Sequence, residues 1–283
     1  MQTVATVAAL RKLIDLWRKQ DERIVLVPTM GNLHAGHLAL IRHAHSCGSK
    51  IVCTIFVNSL QFDRKEDLAA YPRTPDEDLK ALEREQTDLV FMPSHEEVYC
   101  EQNRIKKSMP DNPLNQQLCG AYRPGFFDGV VEVVARLFYM TDPDVAVFGE
   151  KDYQQLVIIK QLVKDLDMAI QIEQVSTERE KDGLAFSSRN GYLDRRERAI
   201  APQLYGELRR VEHQVKKAQH TFAVLESQAV ERLQQAGFRP DYVAIRDAAT
   251  LEPASNETRQ IAILAAAWLG KARLIDNVLV SMA

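Results

Sequence analysis

Short apolar runs alternate with helix-patterned stretches through the first 175 or so residues, and that alternation leaves few folds open. "RIVLVPT" and "KIVCTIFVN" are continuous apolar runs, the pattern of strands buried on both faces. Between them "HLALIRHAHSCG" has the spacing of a helix that stops at Gly48. A strand, a helix and a second strand of this kind make the building block of a parallel sheet. The alternation then continues. Pro75 through Gln86 reads as a helix opening with proline in its first turn, and "TDLVFMP" as a strand. Asn103 to Gln117 is polar, holds two prolines and reads as loop. "FDGVVEVVARLFYM" reads as a helix with Asp128 near its start. "DVAVFG" reads as a strand, about 152–166 as a helix, and "AIQIEQV" as a further strand. The fold class that follows is α/β, a Rossmann-like doubly wound parallel sheet.

After "SSRNGYL" the texture changes. Two charged helical stretches, near Arg195–Gln219 and Phe222–Ala236, precede three strand-like runs, "DYVAIRD", "QIAILAAAWL" and "ARLIDNVLV". The expected organisation is therefore a Rossmann-like domain over 1–177 and a smaller α+β domain over 178–283. Hydrophobic residues make up 46% of the chain and charged residues 27%, enough to fill a sizeable core. The net charge of −3 argues against a broad nucleic-acid surface but leaves room for a local anion site. The first twenty residues carry apolar residues at helical spacing with charges throughout, unlike a signal peptide. No stretch approaches the ~18 apolar residues that cross a membrane. Four cysteines without a C-x-x-C pair read as reduced thiols, which points to the cytoplasm.

"VPTMGNLHAGH" sits where the first of these strands hands over to a helix. Ligands of open parallel sheets bind at the carboxyl ends of strands. A helix N-terminus adds unpaired N–H groups and partial positive charge, which suit a phosphate. Gly31 and Gly36 would let backbone approach such a ligand, and His34 and His37 would donate to phosphoryl oxygens as charge builds on them. Alternatively the two histidines cap the helix or face solvent; a metal site lacks an obvious third ligand. His43 and His45, inside the same helix, read as surface or partly packed residues.

Three further stretches fall at comparable places. "FVNSLQF" puts Asn58 and Gln61 after the second strand, and "FGEKDYQQL" puts Gly149, Lys151, Asp152 and Gln155 at another strand–helix junction. "FSSRN" supplies two hydroxyls and a guanidinium, or else a simple turn before a helix near Asp194.

With "EDLAAYPRT", "RPGFFDGV", "KDGLAFSSRNGYL" and "AAWLGKARLIDN" added in order, the sequence resembles the pantothenate synthetases, the pantoate–β-alanine ligase family, along nearly its whole length. The resemblance implies an HxGH nucleotidyltransferase-type domain, a smaller closing domain and a homodimer. It implies ATP-dependent condensation of (R)-pantoate with β-alanine through a pantoyl adenylate, releasing AMP and pyrophosphate. By the same resemblance the ATP site comprises Met30, Gly31, Asn32, Leu33, His34, Ala35, Gly36 and His37. Gly149, Glu150, Lys151 and Asp152 join it, as do Phe186, Ser187, Ser188 and Arg189, with the Glu178 backbone near adenine. His37 would be the proton donor and His34 its phosphate-binding companion, with Lys151 and Arg189 neutralising charge. Gln61 and Gln155 would grip pantoate, Gln61 lying near β-alanine as well. Mg²⁺ would ride on the phosphates with few protein ligands, none of them assigned and Asp152 a candidate.

Four positions depart from the family pattern: Ser59 for a usual proline, Phe126 for histidine, Glu132 for a common threonine, and Phe186 for Met or Leu. Loss of the proline is expected to loosen the loop before Gln61. Pantoate's geminal methyls need an apolar wall, for which Val130, Val133 and Val134 are candidates beside ordinary core packing. The rival readings are another HxGH nucleotidyltransferase, for instance one acting on a phosphorylated acceptor, and a nucleotide-binding homologue without catalysis. Pantoate-dependent exchange of pyrophosphate into ATP is expected of the ligase and of neither rival.

Overall fold

The structure, a computed structural model, describes residues 1–62, 65–100, 103, 112–218 and 220–282, with backbone alone at 65–67. The first sheet has six strands: β1 (Gln2–Val4), β2 (Ile24–Thr29), β3 (Lys50–Ile55), β4 (Leu89–Phe91), β5 (Val145–Gly149) and β6 (Gln171–Val175). Its spatial order is β1-β4-β3-β2-β5-β6, and each neighbouring pair is parallel. From β2 the chain builds outward through β3 to β4, then returns to β2's other side with β5 and β6. The strand order therefore reverses between β2 and β5, and a crevice opens at their carboxyl ends, beyond Thr29 and Gly149.

Alternation along the strands fills two cores. Ile24, Leu26, Val52, Leu89, Phe91, Ala146 and Phe148 belong to the face that packs with α1 (Val7–Arg18), α7 (Phe126–Thr141) and α8 (Tyr153–Asp165). Val25, Val27, Ile51, Cys53, Val90, Val145 and Val147 belong to the opposite face, under α2 (Ala35–Ala44) and α4 (Pro75–Arg84). Both faces are covered, which explains why the strands read as unbroken apolar runs.

β7 (Arg239–Asp247), β8 (Gln260–Leu269) and β9 (Ala272–Ser281) form a separate antiparallel sheet in sequential order. One face carries Val243, Ile245, Ile261, Ile263 and Ala265 against α10 (Gln203–Lys216) and α11 (Phe222–Gln235). The other, with Ala244, Ala262, Leu264 and Ala266, joins the core of the first sheet. Central β8 thus serves two cores at once.

Local detail departs from the sequence reading in several places. β1 lies within the stretch read as helical; it pairs with β4 from Gln2↔Leu89 to Val4↔Phe91. The single helix expected near Arg195–Gln219 is two, α9 (Arg195–Ile200) and α10, because Pro202 cannot continue the hydrogen-bonding ladder. Gln219 lies outside the described residues. α9 opens on a reciprocal cap: Glu197 N donates to Asp194 (2.8 Å) and Asp194 N to Glu197 (2.9 Å). Three short helices were not anticipated: α3 (Lys65–Ala70), α5 (His95–Tyr99) and α6 (Cys119–Tyr122). Of the expected loop Asn103–Gln117, residues 104–111 lie outside the described residues, and Pro113–Gln116 is a 3-10 turn.

Candidate active site

The crevice at the strand-order reversal is the mouth of a cavity of about 1160 Å³ that continues beneath the second sheet. Its floor is the N-terminus of α2. The helix starts at Ala35, inside the H-x-G-H segment, so His34 is its N-cap and Gly36 and His37 lie in its first turn. The two imidazoles stack, with ring centroids 4.0 Å apart and 24° between planes, and Phe186 stacks on His34 at 6.2 Å. His34 N donates to His37 Nδ1 at 3.4 Å. With Nδ1 accepting, a neutral His37 carries its proton on Nε2. His34 Nδ1, by contrast, is buried without a regular hydrogen bond, although the His34 and His37 side chains sit in the reciprocal arrangement of a capping box at the start of α2.

Both imidazoles are held neutral. Burial lowers the His34 pKa from 6.5 to about 4, with Lys151 adding to the effect and Asp152 opposing it. His37 is pushed well below 6.5, first by burial, then by His34 and Lys151. Part of the His37 surface still faces the cavity. Two stacked rings beside an ammonium cannot share positive charge until an anion arrives.

Each glycine also makes room for a near neighbour. Gly31 has φ +76°, and a Cβ there would come within 2.9 Å of Asp78 Oδ2. Asp78, buried at 2% exposure on α4, accepts from Asn32 N at 2.8 Å and Leu33 N at 2.7 Å, while Thr74 Oγ1 donates to it at 3.2 Å. This carboxylate pins the turn that carries the histidines. Sequence reading missed it, because Asp78 looks like an ordinary acidic residue in a helix's first turn. At Gly36 a Cβ would stand 3.1 Å from the His34 ring.

Most of the expected residues meet around this cavity. Met30, His34, Gly36, His37, Gly149, Lys151 and Asp152 line it from the two central strands. Gln61 and Gln155 line it, as do Glu178, Phe186, Ser187, Ser188 and Arg189. Gly31, Asn32, Leu33, Ala35 and Glu150 do not. Asn32 and Leu33 give their N–H groups to Asp78, and the Glu150 carboxylate accepts from Gln174 Nε2 at 2.9 Å. Lys151 and Asp152 lie on a 3-10 turn, Glu150–Asp152, with Lys151 Nζ 3.5 Å from Asp152 Oδ2. Ser188 Oγ donates to Asn32 O at 3.4 Å, joining the 186–189 segment to the histidine turn.

Gln61 is held by its neighbours. Asn58, 1% exposed, donates Nδ2 to Gln61 Oε1 at 3.1 Å and to Gly129 O at 2.9 Å, and Tyr99 Oη donates to Asn58 Oδ1 at 2.7 Å. Gln61 Nε2 is thereby turned the other way, where it donates to Met30 Sδ at 3.1 Å and keeps a second N–H. At Ser59, the position without the usual proline, Ser59–Gln61 is a 3-10 turn whose start Asn58 caps by accepting from Leu60 N at 3.2 Å. Gly129 lets α7 approach that turn, since a Cβ there would meet Leu60 O at 2.6 Å. Val130, Val133 and Val134 are buried and line the cavity together. Phe126 forms a shelf for Arg123, whose guanidinium stands 3.6 Å over the ring and donates to Gln61 O at 3.1 Å. Glu132 pairs with the buried Arg136 one helical turn on, at 2.7 Å.

Gln154 and Gln155 divide the work of their stretch. Gln154 is buried, donating to Leu114 O and Gln117 O at 2.8 Å each, and Gln155 faces the cavity. His43 and His45 lie outside the cavity. His43 Nε2 is 3.4 Å from Glu173, and His45 Nε2 2.8 Å from Glu85 O. With Cys47, His43 and Glu173 bring metal-ligating atoms within 4.8 Å of one another, the one such group found among the described residues and one that does not line the cavity. All four cysteines are free thiols. No helix of the described residues is long and apolar enough to cross a membrane.

Comparison with known proteins agrees with this geometry. A family model described as pantoate–β-alanine ligase matches residues 2–279. The pantothenate synthetase of Thioalkalivibrio sulfidiphilus is 51% identical over 283 residues, covering 100% of this chain and 99% of that protein. That of Aeromonas hydrophila is 50% identical over 284 residues, with the same coverage. The crystal structure of Thermus thermophilus pantothenate synthetase superposes with a TM-score of 0.90 at 41% identity, over 98% of this chain and 99% of that one. The Francisella tularensis pantoate–β-alanine ligase, solved in complex with β-γ ATP and β-alanine, gives a TM-score of 0.82 at 32% identity, over 99% and 97% of the two chains. A doubly wound sheet with paired histidines at its switch point, matched from end to end by this one group, makes the chain a member of the pantoate–β-alanine ligase family.

Proposed function

We propose that this enzyme joins (R)-pantoate to β-alanine in two half-reactions within the one cavity. In the first, a pantoate carboxylate oxygen attacks the α-phosphorus of ATP, and the bond to the β-phosphate oxygen breaks. Pyrophosphate leaves and pantoyl adenylate remains. In the second, the neutral amine of β-alanine attacks the acyl carbon, the acyl–oxygen bond breaks, and AMP departs. A free carboxylate would have to expel oxide; the mixed anhydride expels AMP instead. No covalent bond to the protein is needed, so the task is positioning and charge stabilisation.

The observation that carries this reading is the histidine pair. His34 Nδ1 is buried without a regular hydrogen bond, and His37 has its Nδ1 engaged by backbone, leaving Nε2–H for a ligand. Donors on a helix N-terminus, neutral until a polyanion comes, suit the α- and β-phosphates. Arrival of the triphosphate raises both pKa values, and His37 then supplies its proton as pyrophosphate leaves. Lys151 and Arg189 neutralise further charge, Ser187 and Ser188 donate hydroxyls, and the Glu178–Phe186 segment flanks adenine. Gln61 Nε2 and Gln155 grip pantoate, with its geminal methyls against Val130, Val133 and Val134.

Mg²⁺ fits this site as a companion of the phosphates. Asp152, 49% exposed by its side chain and beside Lys151, offers at most one carboxylate, as suits an ion that keeps waters and phosphate ligands. When bound it would neutralise triphosphate charge. Residues 178–283 act as the smaller unit that closes over the nucleotide held by 1–177. The homodimer and the cytoplasmic setting rest on the family resemblance and the free thiols.

The decisive experiment is exchange of labelled pyrophosphate into ATP, dependent on pantoate and run without β-alanine. Exchange is expected, and His37→Ala should slow it by about 10²–10³. Normal exchange by that variant would remove His37 from the mechanism.

A further inference from the structure

Lys151 sits on a turn that its own segment holds poorly. The 3-10 turn Glu150–Asp152 is three residues long, and its N-cap, Gly149, has no side chain to close it. Two successive carbonyls of the turn accept from outside the segment. Both are taken by one side chain from the far end of the sequence. Asn277 Nδ2 donates to Glu150 O at 2.8 Å and to Lys151 O at 3.0 Å. An amide has two N–H groups, and here each finds one carbonyl.

Asn277 is itself fixed. It lies on β9, is 5% exposed, and donates its backbone N–H to Asp276 Oδ1 at 2.8 Å. The Asp276 carboxylate, 4% exposed, is gripped by both ends of the Arg179 guanidinium at 2.6 and 2.8 Å. Arg179 stacks on Tyr205 at 3.6 Å and donates to Gly183 O at 3.1 Å. A two-pronged ion pair with a stacked guanidinium is among the stiffest side-chain arrangements available. Arg179 also follows Glu178 directly and bridges Ala185, just before the 186–189 segment. The dipeptide Asp276–Asn277 therefore ties the Lys151 turn and the 178–189 strap to one strand.

We propose that Asn277 is a positioning residue for adenylation, acting through Lys151. By holding both carbonyls of the turn, it sets the place from which the Lys151 ammonium meets the phosphates. The inference rests on the reading of Lys151 given above. It goes beyond that reading by assigning a role to a residue of the second sheet that sits behind the turn and outside the cavity lining.

The test is a double-mutant cycle read by pantoate-dependent pyrophosphate exchange, with thermal unfolding followed in parallel. Asn277→Ala is expected to lower the exchange kcat at least tenfold. In a Lys151→Ala background the same substitution should cost less than threefold, because the group it positions is already gone. Aminolysis of supplied pantoyl adenylate by β-alanine should fall less than exchange does. Asn277→Asp, which keeps size and strand register but sets an acceptor against two carbonyls, should lose exchange as Asn277→Ala does and serves if the alanine variant fails to fold. Equal fold-losses in the two backgrounds, or wild-type exchange in both Asn277 variants, would overturn the proposal. Lys151→Ala with wild-type exchange would instead sink the role of Lys151 itself, and a slow Asn277→Ala beside it would make Asn277 a purely structural pin.

Discussion

Asp78→Asn tests whether the histidine turn is built by one buried carboxylate. Asp78 Oδ2 serves Asn32 N, and Oδ1 serves Leu33 N and the Thr74 hydroxyl. An asparagine amide fits the same space but presents one oxygen and one NH2. Whichever way it is turned, an NH2 faces a backbone N–H, and one charge-assisted bond is lost with its donor left buried. Such a loss costs about 1.5–3 kcal/mol. For a protein of this size that corresponds to a fall in Tm of roughly 3–5 °C. Activity should fall further than stability, since Asn32 and Leu33 lead directly into His34. We expect pyrophosphate exchange, measured well below the new Tm, to drop at least tenfold, about 1.4 kcal/mol in the barrier. A Tm within 1 °C or so of the parent together with unchanged exchange would refute the claim that this carboxylate holds the turn.

Gly36→Ala should separate activity from folding: alanine favours the helix by about 0.5–1 kcal/mol, yet its Cβ presses on the His34 ring at 3.1 Å, so Tm should hold while exchange falls. Gly129→Ala should do the reverse of a local change, lowering Tm and raising the KM for pantoate together, because the new Cβ would strike Leu60 O at 2.6 Å and shift the Gln61 turn; unchanged values of both would contradict that contact. The two depressed imidazoles make the unfolded chain bind more protons than the folded one below pH 6.5, so their contribution to stability is complete above pH 6.5 and is lost as pH falls, for His34 through the window from 6.5 to about 4. His34→Gln should flatten part of the slope of Tm against pH there, and an unaltered slope would count against a neutral buried His34. ATP binding near neutral pH should take up protons as the imidazoles charge, seen as a calorimetric enthalpy that varies with the buffer's ionisation enthalpy; no buffer dependence would mean that the histidines stay neutral.

The H-x-G-H segment was legible because everything it needs at short range is adjacent: a strand end, a turn and a helix start. The switch-point placement of "FGEKDYQQL" followed from the strand–helix rhythm, and the six-stranded sheet bears that rhythm out. Asp78 and Asn277 were not legible, since each acts on a turn distant in sequence and looks ordinary where it stands. Three residues of β1 carry too little pattern to be heard beside the helix that follows. Pro202 is a different kind of miss: the break it makes in a helix is plain from the residue alone. At Ser59 the sequence shows the missing proline but not the Asn58 cap on the same turn.

The two-faced middle strand of the C-terminal sheet limits how this chain can be cut and recombined. A fragment ending near residue 177 would bare the apolar ground on which Ala244, Ala262, Leu264 and Ala266 rest, and should aggregate rather than bind nucleotide. A chimaera that borrows its last hundred residues from a relative must match that row of three alanines and a leucine on one side as well as the helices on the other. The buried alanines among them tolerate little enlargement and the leucine little loss, so graft compatibility should be decided at those four positions before any loop or surface charge matters.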